Sequence, residues 1–395
     1  MSDRIGRKAT LYVLWILLAA SLIIETLVKD WKQWTGAKIL AGIDVGAIQS
    51  TLPVYVTEWS PANIRGAIVL VYGFWSSFGK FLPPLVLLLC QNADPLDYKT
   101  PILTQWAFLG IMLPHISPLV TCTTKARQPF RRVNGGIPGY DVDVEYDIIK
   151  NTILEEQHTS EDTDTGGFRG VIRSYIDCFK GSDLMRTLGS TLPICAQQLT
   201  GLSFLDTYAS LFFKQSGFNN AFLITIIMAI ISLITATCLI LATDRFGRRL
   251  VVLGAAILCS LALLLVGILG QVEKTKPLQD FLIFCGCLWS LGNNALGQLG
   301  WAFVGEVSSQ RLRARTAGLG AGMSVVFGLT FNTAVPVMID TEGANWGYNT
   351  AWLFFAIGSL ICIMIYYYVP EPSQRNYAEM DEMYNKKIGA RKMRT

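Results

Sequence analysis

Ten stretches of 18–26 mostly apolar residues divide this chain, at about 11–28, 36–57, 66–89, 102–121, 188–213, 221–243, 250–270, 280–304, 316–339 and 350–369. A helix needs about 20 apolar residues to cross a bilayer core. Inside lipid the backbone has no water to bond, so each stretch is expected to close its own hydrogen bonds as a helix. β-barrel strands are shorter and alternate in polarity, which these stretches do not. Hydrophobic residues make up 51% of the chain and charged residues 16%, with mean hydropathy +0.40. That composition excludes an ordinary soluble domain.

The basic residues orient the spans. With residues 1–10 placed in the cytoplasm, 25 of the 33 Lys and Arg fall on the cytoplasmic side. Seven fall outside (Lys29, Lys32, Lys38, Lys99, Lys214, Lys274 and Lys276), and Lys80 lies within a span. The bias toward the inside predicts two cytoplasmic termini. The net charge of +4 is therefore a topology signal rather than a nucleic-acid footprint. The chain divides into a four-helix portion (1–121), a polar cytoplasmic linker with short helices (122–187), a six-helix portion (188–369) and a cytoplasmic tail (370–395). Apolar spacing within residues 141–157 suits a short amphipathic helix, and the polar residues 158–167 suit a flexible joint.

One motif occurs twice. Residues 3–8 read Asp3-Arg4-Ile5-Gly6-Arg7-Lys8, and residues 244–249 read Asp244-Arg245-Phe246-Gly247-Arg248-Arg249. An echo follows each copy: Glu58 precedes Arg65 by seven residues, and Glu306 precedes Arg313 by the same seven. Two dispersed signals in matching order indicate an internal duplication, a common origin of transporter folds. Glycine permits the tight turn between two spans. Glu58 is expected to pair with Arg7 or Lys8, and Glu306 with Arg248 or Arg249. Such clusters would latch one face shut and release it when the halves rock.

Enzyme chemistry finds little here. The two histidines, His115 and His158, are far apart, and no phosphate loop or dinucleotide fingerprint is present. Nine cysteines are scattered through apolar runs, and Cys285-Gly-Cys287 lacks metal-site spacing, so packing thiols are expected. No cofactor, metal, nucleic acid or obligate protein partner is implied.

These marks together resemble the sugar porters of the major facilitator superfamily. The shared residues are the two motifs, Pro53-x-Tyr55-x-x-Glu58 with Arg65-Gly66, Gln197-Gln198-x-x-Gly201, Trp301-x4-Glu306 with Arg313, and Pro370-Glu371 followed by Glu379 and Asp381. The wording around 197–213 and 370–384 is similar to fungal maltose and general α-glucoside:proton symporters. The resemblance implies an all-α membrane fold of two helical halves around a central site. In the family the first motif lies between helices two and three. The ten spans would then be helices three to twelve, and the chain reads as lacking its opening helix pair.

The resemblance also implies site residues. Gln197 and Gln198 match the helix-seven glutamines, whose amides bond sugar hydroxyls. Trp301 matches the helix-ten tryptophan that presents an aromatic face to the ring. The gating set comprises Arg4, Arg7, Lys8, Glu58, Arg65, Arg245, Arg248, Arg249, Glu306 and Arg313. Departures are several. The helix-seven asparagine is Ser203, the helix-five glutamine falls on Gly73, the helix-ten prolines are Gln298 and Gly300, and the helix-eleven Asn-Trp pair falls on Ser324-Val325. A glycoside other than a simple hexose is the expected substrate, with protons as the coupling ion.

Ionisable residues within spans are costly and so are functional candidates. Asp206 follows Gln198 by eight residues, which an unbroken helix returns to nearly the same face. Lys38 falls on the family's helix-four arginine, which usually pairs with a helix-one acid; with Asp44 it forms the candidate coupling set. Three alternatives share these marks: a non-transporting nutrient sensor, a truncated and inactive porter, and a porter for another polyol or cyclic hydroxylated solute.

Overall fold

The computed structural model describes residues 7–59, 65–93, 99–120, 168–209, 221–272, 275–309, 312–340, 343–372, 377–386 and 389–393. Among them the regular elements are helical. They are α1 (Arg7–Leu27), α2 (Trp31–Trp59), α3 (Arg65–Ala93), α4 (Lys99–Val120), α5 (Phe168–Asp177), α6 (Gly181–Leu199), α7 (Ala221–Phe246), α8 (Arg248–Leu269), α9 (Lys276–Val307), α10 (Arg313–Ile339), α11 (Thr350–Tyr368) and α12 (Tyr377–Asn385). A helix lies on each of the ten apolar stretches, although the end of the fifth lies outside the described residues. Among the described residues six helices are both long and apolar enough to cross a membrane: α1, α3, α7, α8, α10 and the stretch Gly347–Tyr368 that includes α11. The expected amphipathic helix at 141–157 and the joint at 158–167 lie outside the described residues.

Two compact units share the chain. The first takes residues 1–48 and 98–177. In it α1 packs on α4, Leu14, Leu22, Ile102 and Leu109 are buried, and Trp15 donates its indole N–H to the Leu109 carbonyl. The second takes residues 49–97 and 178–395. Its core runs between α6, α8, α9 and α11 around Trp289, Phe204, Phe303 and Phe354. In this unit α3 packs on α7 and α9.

The break after α6 organises the second unit. Gly201 adopts φ +90°, a conformation that strains any residue with a Cβ, and the chain continues as a π-helical turn over Ser203–Thr207. Interrupting a helix in an apolar environment frees carbonyls that need new partners. Side chains of α9 supply them. Trp289 donates its indole N–H to the Thr200 carbonyl at 2.8 Å, and Asn293 donates its amide to the Gln197 carbonyl at 2.9 Å. Asn293 also reaches the Thr200 hydroxyl at 3.1 Å.

Trp289 is 1% exposed, so the Thr200 carbonyl is sealed from solvent with it. Trp289→Phe keeps most of the apolar contact and removes the donor. Leaving a buried acceptor unpaired costs about 1–3 kcal/mol. The variant will melt at a lower temperature than the parent in detergent. An unchanged melting curve would show that the break does not depend on this bond.

Candidate functional site

Three glutamines meet the surfaces of facing helices, each against a glycine. Gln197 of α6 lies over Gly297 of α9, where its amide occupies the space of any added Cβ. Gln198 lies over Gly328 of α10, with its Oε1 3.2 Å from where a Cβ would stand. Gln298 of α9 lies over Gly73 of α3, its Cγ 2.8 Å from that position, and donates to the Ser77 hydroxyl at 3.1 Å. Glycine at each facing position lets a long polar side chain fit between closely packed helices.

Trp301 is half-buried and packs on Ile194, Val304 and Ala317. Ile194 stands one turn before Gln198 on α6, so the aromatic ring lies on the helix face next to the glutamine pair. A second polar group sits beside it. Asn294 donates to Ser232 of α7 at 2.6 Å, and Ser232 and Ser290 share a hydrogen bond at 3.3 Å.

Ser203 is buried at the start of the π turn, where its carbonyl accepts from the Tyr208 N–H. Asp206 follows the break in the helix. The eight-residue count from Gln198 assumed an unbroken helix, but Gly201 and the π turn reset the register and Asp206 is exposed.

Charged residues gather where α8 begins and α9 ends. Arg248 forms an ion pair with Glu306, and the two side chains are 10% and 9% exposed. Arg249, the other expected partner of Glu306, turns elsewhere: its guanidinium donates to the carbonyls of Tyr366 at 2.6 Å and Ala390 at 3.1 Å. Glu371 caps α8, accepting from the backbone N–H of Arg248 at 3.0 Å and of Arg249 at 3.1 Å. A carboxylate there also suits the positive end of the helix dipole. Gly247 at φ +82° brings the backbone against that carboxylate. Arg186 donates to the Val307 carbonyl and lies 5.2 Å from the Tyr384 ring. Burial raises the Tyr384 phenol above its usual range, partly offset by Arg186. Arg313 is buried at the start of α10, and Arg245 is exposed at the end of α7.

Of the first motif copy, Arg4 lies outside the described residues. Arg7, Lys8, Glu58 and Arg65 lie on the ends of α1, α2 and α3, and their side chains fall outside the described set. In the first unit Lys38 pairs with Glu25 of α1 at 2.7 Å, with the Glu25 side chain 4% exposed, and its ammonium lies 4.9 Å from the Trp34 ring. Asp44 is fully buried, and neither carboxylate oxygen has a hydrogen-bond partner among the described residues.

Sequence reasoning did not single out Ser77, Asn293, Asn294 or Gln298 as contact residues. One signal was available. Ser290, Asn294 and Gln298 recur every four residues, which lines one helix face.

A membrane chain whose described elements are helical, with paired amides in one helix and buried charge clusters at helix ends, fits a carrier better than a catalyst. A profile of the sugar (and other) transporter family matches residues 1–384. The chain belongs to that family. It is a multi-pass membrane transporter and not an enzyme. The relatives include the major facilitator-type transporter ecdD of Aspergillus rugulosus, 25% identical over 99% of this chain and 75% of its own length. The general alpha-glucoside permease of Saccharomyces cerevisiae is 25% identical over 99% of this chain and 65% of its own length. Among solved structures, the proton:xylose symporter XylE of E. coli superposes with TM-score 0.73 at 19% identity, covering 97% of this chain and 84% of XylE. That likeness establishes the major facilitator fold.

Proposed function

We propose that this sugar transporter moves an α-glucoside of the maltose type across the plasma membrane by alternating access, coupled to protons, with both termini cytoplasmic. The observation that carries the reading is the pair Gln197 and Gln198, set on the glycines of α9 and α10 beside the half-buried Trp301. Amides donate and accept at once, as sugar hydroxyls do, and an aromatic face covers the apolar side of a pyranose ring. The α-glucoside permease named above supports the substrate class, and the proton:xylose symporter supports proton coupling.

In this reading Arg248, Glu306, Arg313, Arg245 and Arg249 form one gating cluster, and Arg4, Arg7, Lys8, Glu58 and Arg65 the other. Lys38 with Glu25 and Asp44 are the coupling candidates, because buried ionisable groups in a span are where protons are taken up. The organisation into residues 1–121, 122–187, 188–369 and 370–395 belongs to the same reading.

The test is uptake of radiolabelled maltose by cells expressing the chain, with and without a protonophore. Accumulation that the protonophore abolishes is the expected outcome. Uptake indifferent to the protonophore would remove the coupling, and no uptake of any glycoside would remove the transport reading.

A further inference from the structure

The polar row on α9 holds a buried atom without a hydrogen-bond partner among the described residues. Ser290, Asn294 and Gln298 stand four residues apart, on one face. The first two are tied to Ser232 and to each other's turn: Asn294 donates to Ser232 at 2.6 Å and to the Ser290 carbonyl at 2.8 Å. Gln298 differs. It is 7% exposed, its Nε2 donates to Ser77, and its Oε1 is buried with no hydrogen-bond partner among the described residues. Rotating the amide by 180° exchanges the atoms but not the arrangement: one end is held by Ser77 and the other is buried without a partner among the described residues.

An amide here serves packing poorly. A buried acceptor without a partner is a net loss relative to an apolar side chain of the same size. The surroundings are nonetheless shaped for it. Gly73 gives up its own side chain: a Cβ there would lie 2.8 Å from Gln298 Cγ and 3.1 Å from both its Cβ and Cδ. The neighbouring residue, Gly297, gives the same kind of room to Gln197. One turn of α9 therefore presents Gln298 on one side and receives the amide of Gln197 on the next.

We infer that Gln298 is a substrate-recognition residue, whose unpaired amide end bonds a hydroxyl of the carried polyhydroxylated ring while Ser77 orients the other end. The inference rests on the sugar-transport reading. A hydroxyl both donates and accepts, so it satisfies whichever amide atom is unpaired. Gly73 and Gln298 act as one unit: the glycine on α3 makes the space that the glutamine on α9 fills.

The experiment is sugar binding to the purified full chain in detergent, read by intrinsic tryptophan fluorescence, for maltose, D-glucose, D-xylose and myo-inositol. Thermal unfolding is recorded on the same samples. Gln298→Leu keeps the volume and removes both polar ends. Its dissociation constant will rise by about five-fold or more for the sugar the parent binds best, the usual worth of one neutral hydrogen bond. Its melting temperature will stay level or rise, because a buried unpaired acceptor is gone. A residue that only bridged α3 and α9 would give the reverse: lower stability and unchanged affinity.

Gly73→Gln combined with Gln298→Gly returns an amide to the same space from α3. It will bind more tightly than Gln298→Gly alone. Affinity within two-fold of the parent in Gln298→Leu, or no recovery in the double variant, overturns the assignment. Cellular uptake separates the two readings. A parent that binds sugar through Gln298 but carries none sinks the transport reading and supports the residue's role. A parent that binds none of the four sugars sinks both.

Discussion

Glu306→Ala will cost this transporter more stability than any other single change in its charged cluster, on the order of 3–5 kcal/mol. The partner, Arg248, has a guanidinium that is only 10% exposed and forms an ion pair with Glu306. Removing a carboxylate from such a pair leaves a desolvated cation without that neutralising charge. The position adds to the effect. Arg248 opens α8, and its backbone N–H is already held by Glu371, so the side chain has little freedom to retreat to solvent. The expected result is a marked fall in the apparent melting temperature and in the yield of folded protein. Joining Glu306→Leu to Arg248→Met will recover most of the loss, because a matched apolar pair carries no desolvation penalty. A single alanine variant that melts like the parent would mean that the pair is solvated and holds nothing together. The double variant bears on mechanism too. A stable protein that no longer alternates would transport poorly despite its normal melting, which is what a gating role for the pair demands.

Much of this architecture is written in the chain's apolar pattern. A helix sits on each of the ten apolar stretches, because a helix satisfies the backbone of an apolar run from within. The charged motif was legible for the same reason: a short Gly-containing loop rich in Arg between two spans has few uses. Choosing between Arg248 and Arg249 as the partner of Glu306 was not. Both stand at the start of α8, and the choice turns on the carbonyls of Tyr366 and Ala390, more than 100 residues away, that draw Arg249 off. Glu371 as the cap of α8 is likewise a contact across 123 residues of sequence. The register of Asp206 was not legible either, because helical counting carries through a glycine unless the φ of that glycine is known. The partner of Lys38 proved to be Glu25, on the preceding helix of the same unit. Gln298 looked like a departure from the family pattern, and so like a loss. Its meaning emerged only when the space over Gly73 was seen to be occupied by it.

Gly297→Val will abolish tight sugar binding while sparing the fold. A Cβ at this position would lie 2.5 Å from Gln197 Cδ and 2.7 Å from its Oε1, far inside contact distance. What must move is the far end of a flexible side chain, so the helices keep their spacing and Gln197 takes another rotamer. The cost of an off-rotamer glutamine is of order 1 kcal/mol, too small to unfold the protein. The cost to recognition is larger. Gln197 loses the placement it holds over Gly297, and with it the amide position from which the proposed site would bond a sugar hydroxyl. The backbone carbonyl of Gln197 is unaffected, since its bond from Asn293 does not involve the displaced amide. Apparent affinity is therefore expected to fall by about ten-fold or more, the equivalent of losing a polar contact and gaining a clash. Melting temperature should remain close to that of the parent. Gly297→Ser, smaller and polar, should fall between the two. The measurement is the dissociation constant for maltose on purified variants beside their thermal unfolding. Were valine to destabilise the protein while leaving affinity intact, Gln197 would be an interhelical strut between α6 and α9, and the site would have to be built around Gln198 and Gln298 instead.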